Sequence, residues 1–164
     1  MTPTLLPRLT RRYRFSASHR LHSLALTDGE NRALYGKCNN PFGHGHDYVL
    51  EVTIAGTPDS LTGLIMPRHD LDQWVESKVL KLFDHRYINT DVSAFAASVP
   101  TTENVALLIA KVLAEDWPRA FPAVPAGLTR VHILETGRNG FEVLADEVRR
   151  GSTRRPSAVP PGDK

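Results

Sequence analysis

Two segments alternate apolar and polar residues with a period of two, and this pattern limits the fold more than any other feature of the sequence. In "RRYRFSASHRL" (11–21), Tyr13, Phe15 and Ala17 fall at odd positions, with arginine or serine between them. In "HGHDYVLEVTIAG" (44–56), the even positions from 48 to 54 are all apolar, while the odd positions include Asp47, Glu51 and Thr53. A period of two is typical of strands that bury one face. The sequence therefore predicts a sheet that is covered on one side.

Three histidines lie on the apolar side of these patterns. His19 shares the parity of Phe15, while His44 and His46, separated by one glycine, share the parity of the apolar residues that follow them. If the two strands pair, all three imidazoles project from one side of one sheet. Three neutral imidazoles with no fourth protein ligand are typical of an open, catalytic zinc site. Each histidine alone is more simply explained as a hydrogen-bonded core residue, so only their convergence predicts the zinc site.

Helical spacing follows in two central segments. Asp70, with Gln73 three residues later, resembles a capping pair, and Thr101 or Thr102 can cap a second helix. Near the end, two apolar runs flank "TGRNG" (136–140), whose Asn-Gly pair is a strong hairpin signal. The order β-β-α-α-β-β predicts an α+β domain with two helices on one face of an antiparallel sheet. The helical spacing is carried by Leu71, Trp74, Val75, Val79 and Leu82, then by Val105, Leu108, Ile109, Val112 and Leu113.

Length and charge indicate one folded domain and a short tail. The chain of 164 residues, 41% of them hydrophobic, suits one sizeable core and is short for two. Residues 149–164 carry five Lys or Arg and one Asp, a net charge of +4, whereas the whole chain is +2, so residues 1–148 carry about −2. We predict a single domain over 1–148 and a disordered basic tail over 149–164. Because the folded part is not basic, no nucleic-acid partner is expected.

Neither a membrane span nor a secretion signal is evident. No apolar run approaches the roughly 20 residues that cross a bilayer. The first residues lack the order of charge, apolar stretch and cleavage site that marks a signal peptide. One cysteine cannot form an intrachain disulfide, so nothing indicates an oxidising compartment. We therefore expect a cytoplasmic protein with no membrane partner.

Cys38, the only cysteine, stands in a polar turn just before the histidine pair. A free cysteine usually behaves as a small buried hydrophobe. Here Lys37 and a nearby metal ion would both lower the pKa of the thiol and favour the thiolate, which is the nucleophile. Asp84 and His85, just past the first predicted helix, are compatible with either a surface pair or a proton relay. The residues alone leave both questions open.

Five separated blocks resemble, in order and spacing, the 6-pyruvoyltetrahydropterin synthase family. They are "FSASHRL", "YGKCNNPFGHGHDYVLEVTIAG", "LDQW…LFDHRYIN", "PTTENVA" and "HILETGRNGFEV", and they cover about residues 10–145. The resemblance implies the tunnelling fold (T-fold), in which the antiparallel sheets of several subunits join into a barrel. It also implies a homohexamer of two stacked trimers, with active sites between subunits. Such an assembly would cover the edges of a small open sheet.

The resemblance also implies a role for each matching residue. His19, His44 and His46 match the family's zinc ligands, and Cys38 matches its catalytic thiol. Asp84 and His85 match a pair that a neighbouring subunit contributes to complete a Cys-Asp-His relay. Glu135 matches the carboxylate that anchors the pterin at the catalytic site, which is chemically sensible because two acceptor oxygens suit the two parallel N–H donors of a pterin. The block that lines the pterin pocket is matched by Thr101, Thr102 and Glu103.

The implied substrate is 7,8-dihydroneopterin triphosphate, which would become 6-pyruvoyltetrahydropterin with loss of triphosphate. Zinc would acidify the C–H bonds beside the hydroxyls of the substrate's side chain, and Mg²⁺ would accompany the triphosphate. No nicotinamide is needed because the redox shift is internal. The sequence accordingly contains no dinucleotide fingerprint and no P-loop.

Two other functions are compatible with these residues. The first is 6-carboxytetrahydropterin synthase of deazapurine synthesis, in which the gap from cysteine to histidine is typically three residues. The five residues between Cys38 and His44 favour the pyruvoyl enzyme. The second is a zinc-binding or pterin-binding protein without turnover. The sequence departs from the family at Pro67, Arg68 and His69, where substrate access or triphosphate contacts would differ, and at Asp47, which adds a charge on the opposite face of the zinc strand.

Overall fold

A five-stranded sheet forms the centre of the molecule. The structure, a computed structural model, describes residues 5–153, with side chains as far as residue 150. The strand order is β3-β1-β2-β4-β5. All neighbouring strands are antiparallel except β3, a short edge strand that runs parallel to β1. The strands are β1 (Arg8–His19), β2 (His44–Gly56), β3 (Arg86–Tyr87), β4 (Ala126–Leu134) and β5 (Gly140–Leu144).

Helices occupy the connections and the end of the described chain. The two helical regions predicted between the halves of the sheet are confirmed, and the β-β-α-α-β-β order is confirmed for the four longer strands. The sequence did not predict the three additional helices α1, α4 and α6. A π-helical stretch, Glu76–Leu80, joins α2 to α3 without a break. The helices are α1 (Asp28–Tyr35), α2 (Arg68–Val75), α3 (Lys81–Phe83), α4 (Ile88–Asp91), α5 (Thr102–Ala120) and α6 (Ala145–Thr153).

One of the two predicted helix starts is confirmed. Thr101 caps α5, because its hydroxyl accepts a hydrogen bond from the Asn104 N–H at 3.3 Å. The prediction that Asp70 caps α2 is wrong, since α2 begins two residues earlier, at Arg68, after Pro67. Proline presets a backbone angle close to the helical value, so the helix can start without a side-chain cap. Asp70 lies instead in the first turn, where the helix dipole favours a negative charge.

The helices cover one face of the sheet, as predicted. The even positions of β2 from Tyr48 to Ile54 are fully buried, and α5 packs on this face with Val105, Ile109 and Leu113, which are at most 1% exposed. The opposite face is polar. Burying the side chains of one face fixes the strand register, because a slip of one residue would turn every apolar side chain to the other face.

The two ends of the described chain differ in part from the predictions. Helix α6 continues to Thr153, so residues 149–153, which the sequence assigned to the tail, are helical. The rest of the predicted tail, 154–164, lies outside the described residues. Among residues 5–153, no helix is both long and apolar enough to cross a membrane.

Candidate metal centre and active site

The three histidines converge at one end of the sheet. The strand register pairs His19 with His44 and Ala17 with His46, so all three imidazoles project from the helix-covered face. One ring nitrogen of each histidine lies within 4.8 Å of the others. The Nε2 atoms of His19 and His44 are 3.1 Å apart. Nitrogens on one tetrahedral zinc ion are separated by about 3.3 Å, so the spacing of this pair is close to that of two zinc ligands.

His19 is oriented by a backbone carbonyl. Its Nδ1–H donates to the Pro100 carbonyl oxygen at 2.8 Å, and its side chain is fully buried. A proton on Nδ1 leaves the Nε2 lone pair free, as is usual for a histidine that binds a metal. Burial lowers the pKa of His19, although the bond to Pro100 opposes this effect. The neutral imidazole, which is the ligand form, is therefore favoured at neutral pH.

His44 carries a polar atom without a protein partner. Its Nδ1 is buried and makes no hydrogen bond within the described residues. Burial lowers the pKa of His44, and the neighbouring His46 lowers it further. A buried polar atom without a hydrogen-bond partner lowers the stability of the folded protein, so this nitrogen does not explain why a histidine occupies position 44. Three imidazole nitrogens around one point fit a divalent metal ion that keeps an open coordination position.

Glu135 and Thr102 lie beside this cluster and are joined to each other. The Thr102 hydroxyl donates to Glu135 Oε1 at 2.6 Å. The same carboxylate oxygen is 3.6 Å from the Nε2 atoms of His19 and His46. The hairpin fixes the backbone of Glu135, whose N–H donates to the Asn139 carbonyl at 3.0 Å. The predicted pterin carboxylate and the predicted metal ligands are thus neighbours.

The other two residues of the predicted pocket block have different surroundings. Thr101 serves as the N-cap of α5. Glu103 is exposed in the first turn, and within the described residues its carboxylate makes no hydrogen bond or ion pair. Only Thr102 of the three predicted residues contacts the site within this chain.

Cys38 lies in a short 3₁₀ helix, Gly36–Asn39, and is half-buried. The Leu21 N–H donates to the Cys38 carbonyl at 2.8 Å, which ties this turn to the end of β1. Burial raises the pKa of the thiol, and the charge of Glu135 raises it further. The prediction that Lys37 lowers this pKa is wrong. The Lys37 side chain is exposed, and water screens its charge from the thiol.

Asp84 and His85 lie at the edge of the sheet, where α3 ends. The Ser16 N–H donates to Asp84 Oδ1 at 2.9 Å, and the His85 N–H donates to the Ser16 carbonyl at 2.6 Å. His85 has a positive φ of 57°, and its side chain is 82% exposed, with Nε2 3.7 Å from Asp84 Oδ2. It borders an open cleft of about 590 Å³ together with Asp47.

This cleft is bordered from both faces of the sheet, because His46 of the metal cluster lines it as well as residues of the opposite face. Ser16 and Asp47 border it, and they alternate along their strands with the residues of the metal cluster. The extra charge of Asp47 is on the opposite face, as predicted, and accepts a hydrogen bond from the Ser16 hydroxyl at 2.5 Å. Within the described residues, no hydrogen bond or ion pair joins Cys38 to Asp84 or His85. A single subunit therefore does not bring the three members of the predicted relay together.

The departure at Pro67, Arg68 and His69 is remote from this end of the sheet. All three residues are exposed at the start of α2. In the same helix, Asp72 Oδ2 accepts a hydrogen bond from Arg11 at 2.6 Å. Arg11 is about 26 Å along β1 from His19, at roughly 3.3 Å per residue. Within one subunit, these three residues do not alter the metal cluster.

Sequence reasoning missed two groups at the site, the Pro100 carbonyl and Tyr48. Tyr48 is fully buried and stacks on Phe15, with ring centroids 5.0 Å apart, and its ring centroid is 5.6 Å from that of His46. Burial and the charge of Glu135 raise the pKa of Tyr48, so the phenol stays protonated. Tyr48 shares the even parity of His46, but in the sequence this parity predicts only a core position. Nothing in the sequence identifies a backbone carbonyl as the partner of His19.

Comparison with known proteins gives consistent matches over most of the chain. A family model described as 6-pyruvoyl tetrahydropterin synthase matches residues 8–146. The 6-pyruvoyl tetrahydrobiopterin synthase of Poecilia reticulata is 46% identical over 132 residues, 80% of this chain and 85% of the relative. The Homo sapiens protein of that name is 44% identical over 132 residues, 80% of this chain and 86% of the relative. The solved structure of 6-pyruvoyl tetrahydropterin synthase from Caenorhabditis elegans has a TM-score of 0.75 and 38% identity, and the match covers 88% of this chain and 99% of that one.

Proposed function

Because the chain belongs to the 6-pyruvoyl tetrahydropterin synthase family, we propose that it converts 7,8-dihydroneopterin triphosphate to 6-pyruvoyltetrahydropterin and triphosphate. Its fold is the tunnelling fold of that family. The single observation that carries the proposal is the convergence of His19, His44 and His46 beside the Glu135 carboxylate. The protein is accordingly a lyase of tetrahydrobiopterin-type pterin synthesis, with a cytoplasmic location.

Zinc is the metal that the three imidazoles would hold, and Mg²⁺ would accompany the triphosphate of the substrate. A bound zinc ion supplies Lewis acidity, which makes C–H bonds beside an oxygen more acidic and favours the thiolate of a nearby cysteine. The Pro100 carbonyl keeps His19 in the tautomer that binds a metal. Burial keeps His19 and His44 neutral.

Glu135 would bind the pterin ring. A carboxylate offers two acceptor oxygens to the parallel N–H donors of the heterocycle, and such charge-assisted pairs are strong and directional. The Thr102 hydroxyl donates a hydrogen bond to the Glu135 carboxylate and so restrains its orientation. This arrangement would fix the ring so that its side chain lies toward the histidines and Cys38.

Cys38 would remove a proton from the substrate side chain, and the Asp84–His85 pair of a neighbouring subunit would relay a proton. The lack of a hydrogen bond between Cys38 and the Asp84–His85 pair within the described residues of one chain supports a site that is shared between subunits. The proposed assembly is a homohexamer of two stacked trimers, in which the sheets join into a barrel and cover their edges. The second enzyme considered, 6-carboxytetrahydropterin synthase, is less well supported, because five residues separate Cys38 from His44.

The proposal is tested by comparing His44→Ala with Cys38→Ala. We expect His44→Ala to lose most of its zinc and its turnover, because a ligand is removed. We expect Cys38→Ala to keep its zinc and its pterin binding and to lose most turnover, because only a proton acceptor is removed. Zinc is measured by elemental analysis, and turnover by release of triphosphate. A full equivalent of zinc in His44→Ala contradicts the ligand assignment, and loss of zinc from Cys38→Ala makes the thiol a fourth ligand.

A further inference from the structure

The hydroxyl of Tyr48 is an unused polar group inside the candidate site. Tyr48 is 0% exposed, and its hydroxyl oxygen has no hydrogen-bond partner within the described residues. Buried tyrosine hydroxyls usually find a partner, and one that does not reduces the stability of the folded state. The other tyrosine on the buried face of the sheet behaves normally, since the Tyr13 hydroxyl donates to Asp72 Oδ1 at 2.8 Å.

Thr102 and Glu135 lie beside this hydroxyl, because the pairing of Val49 with Leu134 brings Tyr48 level with Glu135 on neighbouring strands, and Thr102 is bonded to Glu135. The Thr102 hydroxyl lowers the pKa of Tyr48 as a hydrogen-bonding neighbour does, yet the two hydroxyls do not form a bond of ordinary geometry. Thr102 has a single hydroxyl proton, which it donates to Glu135 Oε1 at 2.6 Å. Thr102 therefore cannot donate to Tyr48, but its oxygen can still accept. A small shift of the Thr102–Glu135 pair would complete a series of hydrogen bonds from Tyr48 through Thr102 to the carboxylate.

The exposure of the three side chains shows which of them a ligand can contact. Tyr48 and Thr102 are 0% and 3% exposed, whereas the Glu135 side chain is 15% exposed. A ligand at the carboxylate can thus reach Glu135 but not the phenol. Any effect of Tyr48 on a ligand must pass through Thr102 and Glu135.

We propose that Tyr48 is a positioning residue for Glu135: its hydroxyl gains Thr102 as an acceptor when a pterin-class heterocycle engages the carboxylate. This inference rests on the proposed function. It explains why an unpartnered hydroxyl is kept beside the metal cluster, because the hydrogen bond missing in the free protein is made in the liganded one. Linked hydrogen bonds polarise one another, so the completed series holds the carboxylate more firmly.

The test compares Tyr48→Phe with Tyr13→Phe, each of which removes one hydroxyl from the buried face of the sheet. Without ligand, we expect Tyr48→Phe to raise the melting temperature by roughly 3 °C, because an unsatisfied group is removed. We expect its KM for the pterin substrate to rise roughly threefold to tenfold, with a smaller change in kcat and unchanged zinc content. Tyr13→Phe, which loses a bond to a carboxylate, should melt at a lower temperature and keep its KM.

A double-mutant cycle with Glu135→Ala identifies the route of the effect. If Tyr48 acts through Glu135, adding Tyr48→Phe to Glu135→Ala should not raise KM, or the dissociation constant of a fluorescent pterin, any further. The inference is overturned if Tyr48→Phe keeps the wild-type KM, if it melts at a lower temperature as Tyr13→Phe does, or if its effect persists in the Glu135→Ala background. A wild-type protein that neither binds nor converts pterins overturns the proposed function as well, whereas a normal wild type with an unaffected Tyr48→Phe overturns this inference alone.

Discussion

At the scale of single residues, His85 combines an exposed side chain with an unfavourable backbone. Its φ of 57° lies in the left-handed region, which costs a non-glycine residue roughly 1–2 kcal/mol. The side chain is 82% exposed and offers little packing in return. Strain of this kind persists where the surroundings impose it, and it is often found at functional sites. The role of His85 in a proton relay would explain why histidine occupies this position.

His85→Gly should therefore separate stability from activity. We expect the free energy of unfolding to rise by about 0.5–1 kcal/mol, because glycine relieves the left-handed strain but loses more backbone entropy on folding. Turnover should fall to background, since the imidazole is gone. Urea unfolding and triphosphate release measure the two effects. His85→Asn is the control, because asparagine tolerates this conformation and cannot relay the proton. Normal turnover by either variant would contradict the proposed role.

The role of a residue was predictable from the sequence where it depends on side-chain parity along a strand. It was not predictable where it depends on neighbours in space. The alternation of two strands was enough to group His19, His44 and His46, because a strand turns successive side chains to opposite faces. The effect of Lys37 on the pKa of Cys38 was mispredicted, because Lys37 is adjacent in sequence but exposed, whereas burial and the charge of Glu135 raise the pKa of the thiol. Such effects depend on tertiary contacts that the sequence does not display.

At the scale of elements, Asp116 of α5 links this helix to α2 and to the π-helical stretch through hydrogen bonds. It accepts hydrogen bonds from Trp74 Nε1 at 2.8 Å and from Lys78 Nζ at 3.1 Å, and it pairs with Arg119 in its own helix. Desolvation raises the pKa of Asp116, but these three donors outweigh it and lower the pKa to about 2. A carboxyl with a depressed pKa stabilises the fold at pH values above its unfolded pKa, and this stability is lost as the pH falls through the folded pKa.

Asp116→Asn should lower the free energy of unfolding by about 2 kcal/mol at pH 7. The difference from wild type should be constant above about pH 5 and shrink between about pH 4 and pH 2, as Asp116 becomes protonated in the wild-type protein. Urea unfolding at several pH values measures it. Glu115→Gln is the matched control on the same helix, because its side chain is 57% exposed and should change stability little at any pH. A pH-independent difference would contradict this account.

The main elements were predictable from the sequence, whereas their exact starts were not. The period of two and the Asn-Gly turn identified the four long strands, and helical spacing identified α2 and α5. The start of α2 was misjudged because the helix begins at Arg68, after Pro67, without the side-chain cap that the sequence pattern relies on. Helix α1 was missed although Thr27 and Glu30 form a capping box, because α1 buries only Asn31 and so shows no apolar periodicity. The two-residue strand β3 is defined only by its contact with β1.

At the scale of the whole molecule, the sheet separates the candidate catalytic groups. The imidazoles and Glu135 lie on the helix-covered face, and Cys38 lies in the turn beside the end of β1. Asp84 and His85 lie instead at the edge of the sheet, where His85 borders a cleft that His46 and Asp47 also line. Within the described residues, no hydrogen bond or ion pair joins Cys38 to Asp84 or His85, so the proposed relay requires a neighbouring subunit. This separation makes the shared site testable without an oligomer structure.

Mixing inactive variants should restore activity. The Cys38→Ala and His85→Ala proteins, each inactive alone, should regain about a quarter of wild-type triphosphate release when refolded together in equal amounts, because each site then draws its cysteine and histidine independently. Cys38→Ala mixed with Cys38→Asn is the control and should stay inactive. If the first mixture also stays inactive although both variants fold and assemble, Cys38 and His85 do not act across subunits.

The central claim concerns the reaction, and identification of the product by mass spectrometry tests it most directly. The zinc-loaded protein is incubated without oxygen with 7,8-dihydroneopterin triphosphate and Mg²⁺, and the pterin products are separated and weighed. The account predicts 6-pyruvoyltetrahydropterin together with free triphosphate, because the five-residue turn before His44 should aim the Cys38 thiol at a side-chain proton without breaking the carbon skeleton. Recovery of 6-carboxytetrahydropterin and acetaldehyde as the main products, or of unchanged substrate, would contradict it.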